Sequence, residues 1–584
     1  MSEQTMEAVL RLPRVLAIRL GTSPLLVALA GLPMLVIIVL VAALVWISFQ
    51  TGIIGTPNAS YTLNNYAEIL GEPFVLKVFW NTVVFTLATT VTALALGLPI
   101  AWLTERTSLP GKGLVYTIMT LGLLIPGIYT AMGWTFIAHV RIGFLNRWLM
   151  DFFGLTEGPI NIATPIGMGF VQGLNLTALA FILTAQMFRA MNPALEEAAK
   201  IHGMSFMGTA RRITLPLAFP AILAAVIYML TIGIATFDVP AIIGLGNRIY
   251  MLSTYVYLKA NPPDSGLPQH GITAALGTLM ILVALLLTWW YSQVLRQGHR
   301  YEVITGKGYR PQLIQLGNWA IVAWSFIGLY FLASKLIPLL LIAYAAFVPY
   351  LAPPSFEMFG KLTLAGFYKL NWDLFWRGLH NTALLVITVP LVTLLLAFSI
   401  SWLIVRSRSR LRYALEFGAF LPHALPEVIL AVGALLLALF MLQGIVPLYG
   451  SVWLIAIVYV ISRLAFATRA LNSSLLQIHR ELEEAAYTAG LSPVRTSWRI
   501  LVPLLRPTLM SVWIWSAILV YRELTVAVFL ISQDSVTLPA VIWSYWFSGA
   551  INQAAAVTLL MTAVLTPLIL VFWWFGRRQL VPES

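Results

Sequence analysis

The chain has 584 residues, of which 60% are hydrophobic and 10% are charged, with a net charge of +13 and no cysteine. This composition excludes a soluble protein, because a soluble chain of this length needs far more polar surface, and it predicts a polytopic membrane protein. The lack of cysteine excludes disulfides, thiolate metal sites and a cysteine nucleophile. The positive charge does not indicate nucleic-acid binding, because the basic residues lie between the apolar runs, where charge sets topology.

The apolar runs predict membrane-spanning helices. About 20 residues of helix cross a hydrocarbon core of about 30 Å, and the sequence lacks the alternating segments of a barrel. The first run follows Arg11, Arg14 and Arg19 and is too long for a signal peptide, so we predict an uncleaved span. Twelve spans are predicted, near residues 24–49, 74–104, 114–139, 165–188, 217–243, 271–295, 335–352, 376–405, 413–442, 449–470, 503–532 and 553–576.

Residues 319–352 fit this pattern poorly. They are apolar apart from Lys335 and a few weakly polar residues, and one helix over all of them would be about 51 Å long at 1.5 Å per residue. We therefore predict an interfacial helix near 318–333 that leads into a span, with Lys335 reaching the cytoplasmic headgroups.

The two sets of six runs form an internal repeat. Asn81-Thr82 recurs 300 residues later as Asn381-Thr382, and Pro126 recurs as Pro426. Further along, the offset falls to 287, which predicts about 13 extra residues in the first half, in the external segment near 141–165. Each half has an even number of spans, so the copies are parallel repeats.

The repeat predicts three regions and their orientation. The first repeat covers 1–295, a basic cytoplasmic linker covers 296–317 and the second repeat covers 318–584. Most of the 35 Lys and Arg residues lie beside segments that an intracellular N-terminus places inside, so both termini are predicted to be cytoplasmic.

A polar segment with its own helix pattern follows span four and recurs after span ten. The copies read Glu196-Glu197-Ala198-Ala199 with Gly203, and Glu483-Glu484-Ala485-Ala486 with Gly490. Glutamates suit the first turn of a helix, and glycine suits the left-handed residue that ends one. We call residues 190–216 and 471–503 the first and second EAA loops, and the span order predicts both to be cytoplasmic.

Each EAA loop follows the pattern E-A-A, three residues, G, nine residues, I-x-L-P, and the second departs from it only at Val502. With this motif the chain resembles, over nearly its whole length, the permease subunits of bacterial binding-protein-dependent ABC importers. It is most similar to the fused, two-permease type of ferric-iron transporters, and permeases for thiamine, polyamines and aminoethylphosphonate are similar. The resemblance implies an all-α type I ABC importer permease fold of about twelve helices in two parallel six-helix repeats.

The resemblance also implies a function. The chain would be a non-enzymatic inner-membrane subunit that passes a solute, ferric iron by the nearest resemblance, from a periplasmic or lipid-anchored solute-binding protein into the cytoplasm by alternating access. Two copies of an ABC ATPase subunit would carry ATP and Mg and grip the EAA loops, while the chain itself, surrounded by lipid, would bind no cofactor, metal or nucleic acid. The coupling residues implied are Glu196, Glu197, Ala198, Ala199, Gly203, Glu483, Glu484, Ala485, Ala486 and Gly490.

The sequence supports a separate motor. Gly111-Lys112 and Gly306-Lys307 lack the following Ser or Thr and the earlier glycine of a phosphate-binding loop, so ATP must bind elsewhere. The rival interpretations are a permease for another small solute and an ion-coupled secondary transporter. The secondary transporter would need ionisable midplane sites in both halves, whereas the first half offers only Asp238.

Charged residues within spans are candidates for the translocation pathway. Arg522-Glu523 is predicted midway through span eleven, with Asp238 near the matching position of span five. Similar permeases carry an acidic residue in this part of span eleven, so the resemblance implies Glu523 as the strongest candidate for the pathway. Arg522 and Glu523 also fit a structural role, each with partners on neighbouring spans. Arg463 is predicted to snorkel. Pro126, Pro422 and Pro426 are predicted to kink spans three and nine.

Overall fold

A computed structural model describes residues 24–52, 58–191, 194–262, 267–298, 313–407 and 411–580. The arginines before the first span and most of the predicted linker lie outside the described residues. The described part is helical apart from its loops and one antiparallel pair of short strands, β1 (Gln50–Thr51) and β2 (Ser60–Tyr61).

The helices of the first repeat are α1 (Pro24–Ser48), α2 (Asn64–Gly71), α3 (Pro73–Arg106), α4 (Lys112–Leu124), α5 (Gly127–Ala138), α6 (Phe144–Phe153), α7 (Pro165–Ala190), α8 (Ala194–Ile201), α9 (Phe206–Thr209), α10 (Leu215–Ala235), α11 (Leu252–Ala260) and α12 (His270–Gly298). Shorter helical turns are the π-helical turns Ala210–Thr214 and Pro240–Gly244 and the 3₁₀ turn Leu245–Asn247.

The helices of the second repeat are α13 (Trp319–Phe331), α14 (Ile337–Phe347), α15 (Phe356–Phe359), α16 (Ala365–Tyr368), α17 (Trp372–Arg406), α18 (Leu411–Ala424), α19 (Glu427–Phe440), α20 (Val452–Gln477), α21 (Glu481–Thr488), α22 (Pro493–Thr496), α23 (Val502–Tyr521), α24 (Thr525–Phe529), α25 (Leu538–Phe547) and α26 (Ile551–Leu580). Here the π-helical turns are Leu332–Leu336 and Ser497–Leu501.

The chain forms two compact units that do not coincide with the repeats. Among the described residues, the first-half unit contains those within Thr62–Phe375 and Leu538–Val564, and the second-half unit contains those up to Tyr61, within Trp376–Thr537 and from Leu565 onward. The first span of each repeat therefore belongs to the unit formed mainly by the other repeat.

Two glycines lie where the first span of each repeat contacts a helix of the other repeat. A Cβ on Gly133 of α5 would lie 2.4 Å from Cα of Pro338 on α14, and a Cβ on Gly433 of α19 would lie 3.0 Å from the carbonyl oxygen of Leu40 on α1. Glycine at both positions lets the helix backbones approach closely, as is common between membrane helices.

Helices α3 and α7 lie side by side and run in the same direction. A Cβ on Gly169 would meet Ala88, and a Cβ on Gly97 would meet Ala180, so residue numbers rise together along both helices. The chain between α3 and α7 must therefore cross back to the side on which α3 begins. Helices α4 and α5, which bend by 92° at their junction, lie within this return and fit one broken crossing.

The predicted helix breaks are confirmed at Pro126 and Pro426. Helices α18 and α19 bend by 99°, so both breaks are far sharper than the kinks that we predicted, and Pro422 lies inside α18. Among the described residues, nine helices are long and apolar enough to cross a membrane, or up to eleven if each bent pair is one span. Apart from these, Ile551–Pro567 of α26 is a shorter apolar stretch.

The position of the extra residues in the first half is also confirmed. Helix α6 (Phe144–Phe153) occupies the segment between α5 and α7, whereas the structure has no helix between Phe440 and Val452, both of which are described. The change of offset from 300 to 287 therefore reflects one inserted helix and its loops.

The prediction of an interfacial helix before Lys335 is wrong. Helix α13, the π-helical turn and α14 form one continuous helical span from Trp319 to Phe347. Lys335 is only 4% exposed, and its Nζ donates to Oδ1 of Asn175 at 3.0 Å. The π turn also leaves the carbonyl of Ser334 to accept from Oγ1 of Thr130 at 3.2 Å. Polar partners on α5 and α7 thus hold the lysine inside the first-half unit.

Candidate functional site: the EAA loops and the interior breaks

The two EAA loops have the same helix end. Gly203 has φ 75° and Gly490 has φ 79°, a left-handed conformation that favours glycine. Just beyond them, the amide of Met204 donates to the carbonyl of Ala199 at 2.9 Å, and the equivalent bond closes the second loop at 3.0 Å. This is the Schellman arrangement, and it confirms the predicted glycine turn in both loops.

In the first EAA loop, Glu196 is held by its own chain. Its carboxylate forms an ion pair with Nη2 of Arg106, the last residue of α3, and accepts a hydrogen bond from Oγ1 of Thr214 at 2.7 Å. Nη1 of Arg106 also donates to the carbonyl of Met191 at 3.2 Å. The arginine therefore joins α3 to both ends of the connection between α7 and α8.

The second EAA loop repeats this arrangement. Nε of Arg406, the last residue of α17, pairs with Oε1 of Glu483 at 2.7 Å, and its Nη2 donates to the carbonyl of Ile478 at 2.9 Å. Both side chains of the pair are more than nine-tenths buried. Burial, with the nearby Glu483 carboxylate, raises the pKa of Tyr487 to about 12, so its hydroxyl stays protonated at neutral pH.

We call the pairs Arg106–Glu196 and Arg406–Glu483 the arginine clamps. Their arginines are 300 residues apart and their glutamates 287 apart, the same offsets that define the repeat. Sequence reasoning missed both clamps: the 300-residue offset that relates Asn81 to Asn381 also relates the two arginines to each other, but it does not show which glutamate each one contacts.

The clamps divide the predicted coupling residues into two groups. Glu483, Ala199 and Ala486 are buried against the chain, whereas Glu484 and Ala485 are exposed. In the first loop Ala198 and Gly203 are also exposed, whereas Glu196 and Glu197 are both partly buried, so the glutamate that follows the clamp is less exposed there than in the second loop.

Each EAA helix also exposes one leucine that is not among the predicted coupling residues. Leu195 is 44% exposed in α8, and Leu482, 287 residues later, is 47% exposed in α21. Each leucine lies three residues before an exposed alanine, on the same side of its helix. Their matching exposure was not evident from the sequence because the glutamates dominate the motif.

The breaks of spans five and eleven lie at equivalent positions. Helix α10 ends at Ala235 and α23 ends at Tyr521, and each is followed by non-helical residues before a new short helix. The prediction that Arg522 and Glu523 lie midway through a helical span is therefore wrong, since both follow its end. The two are not successive residues of one helix.

Glu523 has a defined structural role at this break. It is 7% exposed, and both of its carboxylate oxygens lie 3.1 Å from the amide of Val526, so the side chain caps α24. Its carbonyl accepts from the hydroxyl of Tyr459 at 3.4 Å. In the first half the equivalent positions are also paired, as Nε2 of Gln172 donates to Oγ1 of Thr236 at 3.2 Å.

Asp238 lies just beyond the first-half break. A Cβ placed on Gly127 would be 2.9 Å from Oδ2 of Asp238 and 3.4 Å from Nδ2 of Asn175. The carboxylate therefore lies where the bend between α4 and α5 meets the break of span five. Asn175 also accepts from Lys335, so this point holds an acid, an amide and a base.

The second half has a different acid and base at its bend. Glu427 is the first residue of α19, and its Oε1 pairs with Nη1 of Arg463 at 2.8 Å. The prediction that Arg463 snorkels is therefore wrong. The equivalent of Glu427 in the first half is Gly127, which has no side chain. Across all described residues, no group of three or more His, Cys, Asp or Glu side chains could hold a metal ion.

Comparison with known proteins decides the family. The profile of the binding-protein-dependent transport system inner membrane component matches residues 14–297 and 393–580. The chain belongs to this family. It is thus a permease subunit of a binding-protein-dependent ABC importer, and the predicted all-α polytopic fold with two repeats is confirmed.

Three relatives align with most of the chain. A ferric transport system permease protein of Actinobacillus pleuropneumoniae is 23% identical over 88% of this chain and 74% of its own length. A probable ABC transporter permease protein of Sinorhizobium fredii is 26% identical over 89% of this chain and 90% of its own. An Fe(3+)-transport system permease protein of Haemophilus influenzae is 23% identical over 85% and 90%.

Proposed function

We propose that this permease passes ferric iron from a solute-binding protein into the cytoplasm, driven by two copies of an ATPase subunit that dock on the two EAA loops. The duplicated arginine clamp is the observation that best supports the docking. It ties each EAA helix to the end of a membrane span, so a force on the helix would reach the membrane domain.

The exposed face of each EAA helix would be the docking surface. It presents Leu195 and Ala198 in the first loop, and Leu482 and Ala485 in the second. An exposed leucine beside a small alanine on the same side of a helix suits insertion into an apolar cleft, as in helix-in-groove recognition. Glu484 would add a polar contact beside this face, whereas Glu483 would act within the permease through Arg406.

Both loops would face the cytoplasm, with the termini on the same side. Between the loops the chain would cross six times, by α10, α12, the span α13–α14, α17, the bent pair α18–α19 and α20. An even number of crossings returns the chain to its starting side. The excess of basic residues beside these segments favours the cytoplasm.

Ferric iron is the proposed substrate because relatives named for it align with most of the chain. Relatives named for 2-aminoethylphosphonate transport align with only 27% of it. Carboxylates are suitable ligands for a hard cation, and Asp238, Glu523 and the neighbouring Arg522 remain the proposed residues of the pathway. The solute-binding protein would select the ion, and the permease would expose it alternately to each side.

The docking proposal is tested by changing the exposed leucines. Leu195→Glu or Leu482→Glu should each weaken ATPase capture by about tenfold or more, because burying one leucine contributes about 1.5–3 kcal/mol, and the double variant should lose it. Capture of the ATPase by the full chain in detergent measures this. Val446→Glu, at an aliphatic residue that is 45% exposed in the loop before α20, is the matched control. Full capture by the double variant would overturn the docking proposal.

The substrate is tested separately in proteoliposomes that contain the permease, its ATPase and candidate solute-binding proteins. ATP-dependent uptake of iron with a ferric-loaded binding protein is expected. If uptake required a binding protein loaded with a polyamine, thiamine or a phosphonate instead, iron would be wrong and the docking proposal would stand.

A further inference from the structure

A cavity of about 350 Å³ lies among α17, α18 and α20 of the second-half unit. Its apolar wall includes Phe417, and its polar wall is formed by Glu416, Thr468, Arg469 and Asn472. Asn472 is the one cavity residue within 471–503, where the chain is still α20, and none of the cavity residues belongs to the arginine clamps, to α21 or to the breaks of spans nine and eleven. The cavity is therefore separate from the machinery described above.

Two polar atoms of the cavity wall are buried without a partner. Among the described residues, Oγ1 of Thr468 and Oδ1 of Asn472 have no hydrogen-bond partner, and Thr468 is only 2% exposed. Buried polar atoms are nearly always hydrogen-bonded. A ligand in the cavity would supply the missing partners, one acceptor for the threonine hydroxyl and one donor for the asparagine oxygen.

Two opposite charges line the same cavity without pairing. No ion pair involves Glu416 or Arg469 within the described part of the chain, and the guanidinium of Arg469 lies 4.5 Å from the ring centre of Phe420. Both charged side chains are exposed and have no ion-pair partner among the described residues. Together with the two unpartnered oxygens they suit a ligand that carries both a positive and a negative charge.

The first half has apolar packing at the equivalent positions. Phe181, Ile182 and Ala185 stand where the second half has Thr468, Arg469 and Asn472, and Tyr116 stands in place of Glu416. The rings of Tyr116 and Phe181 pack edge to face with centres 5.2 Å apart, within a buried apolar cluster. The second half thus has polar side chains at three positions where the first half has apolar ones. At the fourth it has Glu416 in place of a tyrosine whose ring packs on Phe181 and whose hydroxyl bonds to Glu105 and Arg189.

The depth of the cavity suits a lipid head group. At 1.5 Å per residue, Asn472 and Arg469 lie about 8 and 12 Å from the end of α20 at Gln477, the end that carries the second EAA loop. Phe417, on the cavity wall, is 70% exposed. A molecule bound here would have its polar part between the helices and an apolar part beside Phe417.

We propose that this cavity binds the head group of phosphatidylethanolamine. Arg469 and the hydroxyl of Thr468 hold the phosphate, and Glu416 and Oδ1 of Asn472 accept hydrogen bonds from the primary ammonium. The acyl chains leave along Phe417 into the bilayer. A primary ammonium suits this site because it donates three hydrogen bonds, whereas the trimethylammonium of phosphatidylcholine donates none.

The head-group preference is measured by native mass spectrometry of the full chain in detergent, titrated with phosphatidylethanolamine, phosphatidylcholine and phosphatidylglycerol of the same acyl chains. One phosphatidylethanolamine should remain bound. The other two lipids should bind about tenfold more weakly, the loss expected for one charge-assisted hydrogen bond. Equal binding of all three lipids would overturn the assignment.

Variants locate the site. Glu416→Gln should weaken phosphatidylethanolamine about tenfold without weakening phosphatidylglycerol, whereas Arg469→Ala should weaken both. Thr468→Phe, which copies the first half, should remove bound lipid while thermal unfolding is unchanged or raised, so loss of binding is separable from loss of folding. Arg495→Ala, at an exposed arginine outside the cavity, is the control. Unchanged lipid binding by Thr468→Phe would place the lipid elsewhere.

The source of the head group is tested with soluble glycerophosphoethanolamine. It carries the same phosphate and amine without acyl chains, so it should displace the lipid only at concentrations far above those of the lipid itself. Displacement at equal concentration would identify an aqueous metabolite as the ligand and overturn the lipid assignment.

Discussion

The EAA loops of the two halves use the same contacts, whereas their membrane interiors do not. Each loop has a glycine with positive φ and an arginine clamp at matching positions. Inside the membrane, the first-half unit holds Asp238 and Lys335 near Asn175, while the second-half unit has the Glu427–Arg463 pair near its bend. The two halves are thus most alike at the loops and least alike among the spans.

This difference fits two kinds of constraint. Two identical partners, as we propose for the ATPases, require the same contact surface on both halves. One substrate that moves along a single path has no such requirement, so the interiors can diverge wherever packing and buried charge remain balanced. The variants below test this comparison between the halves.

The largest effect is expected from Arg406→Ala. It leaves Glu483 buried and unpaired, which costs about 3–5 kcal/mol for a buried pair. Arg106→Ala should cost less, because Glu196 is more exposed, at 14%, and retains Thr214. Chemical unfolding of the full chain in detergent measures both.

The double variant Arg406→Leu/Glu483→Leu supplies the control, since replacing both charges by apolar groups should recover most of the lost stability. Equal losses for Arg106→Ala and Arg406→Ala would contradict the ranking of the two clamps.

The next largest effect concerns the exchanged first spans. Gly133→Ala forces a methyl group to within 2.4 Å of Pro338. It should lower the free energy of unfolding by about 1–3 kcal/mol. Gly433→Ala should cost less, because its Cβ would lie 3.0 Å from Leu40. Gly328→Ala, where a Cβ meets nothing within 4 Å, is the control in the same unfolding measurement. A greater loss for Gly433→Ala than for Gly133→Ala would contradict the packing.

Substitution of the loop glycines should affect both halves equally. A Cβ on Gly203 or Gly490 meets nothing within 4 Å, so the cost of Gly→Val comes from the left-handed backbone alone, about 1–2 kcal/mol. Gly→Asn should be milder, because asparagine tolerates that conformation. ATPase capture and stimulated ATP hydrolysis measure the effect, and a loss confined to one loop would show that the two turns are not equivalent.

The smallest effect is expected from Thr214→Val. It removes the hydrogen bond to Glu196 and should cost about 0.5–1.5 kcal/mol. The equivalent residue, Leu501, is fully buried and has no such bond. Thr488→Val, at an exposed threonine of α21, is the control for unfolding. No difference between the two threonine variants would show that the clamp glutamate does not depend on Thr214.

The repeat, the spans and the EAA turns could be predicted from the sequence because each depends on local composition and spacing. Gly203 and Gly490 follow a helix pattern, and the breaks at Pro126 and Pro426 follow from a missing amide donor. The change of offset located α6. These features require no knowledge of which helices touch.

The errors concern buried charges whose partners come from distant helices. Hydropathy alone placed Lys335 and Arg463 at the membrane surface, since it cannot show that Asn175 or Glu427 lies opposite. Arg106 and Glu196 are 90 residues apart, so neither predicts the other without the fold. The sequence predicts Glu523 within a helix because the run from 503 to 532 is mostly apolar, whereas its carboxylate caps a new helix.

The exchanged first spans also set an order of assembly during synthesis. Gly133 cannot meet Pro338 until the ribosome has made about 60% of the chain, so the helices around α5 must wait in the bilayer with that face open to lipid. For α1 it is the first span itself that waits, because its partner Gly433 is made almost 400 residues after Leu40. A gene cut in the linker would therefore yield two products that each lack a span, and each would mature only after meeting the other.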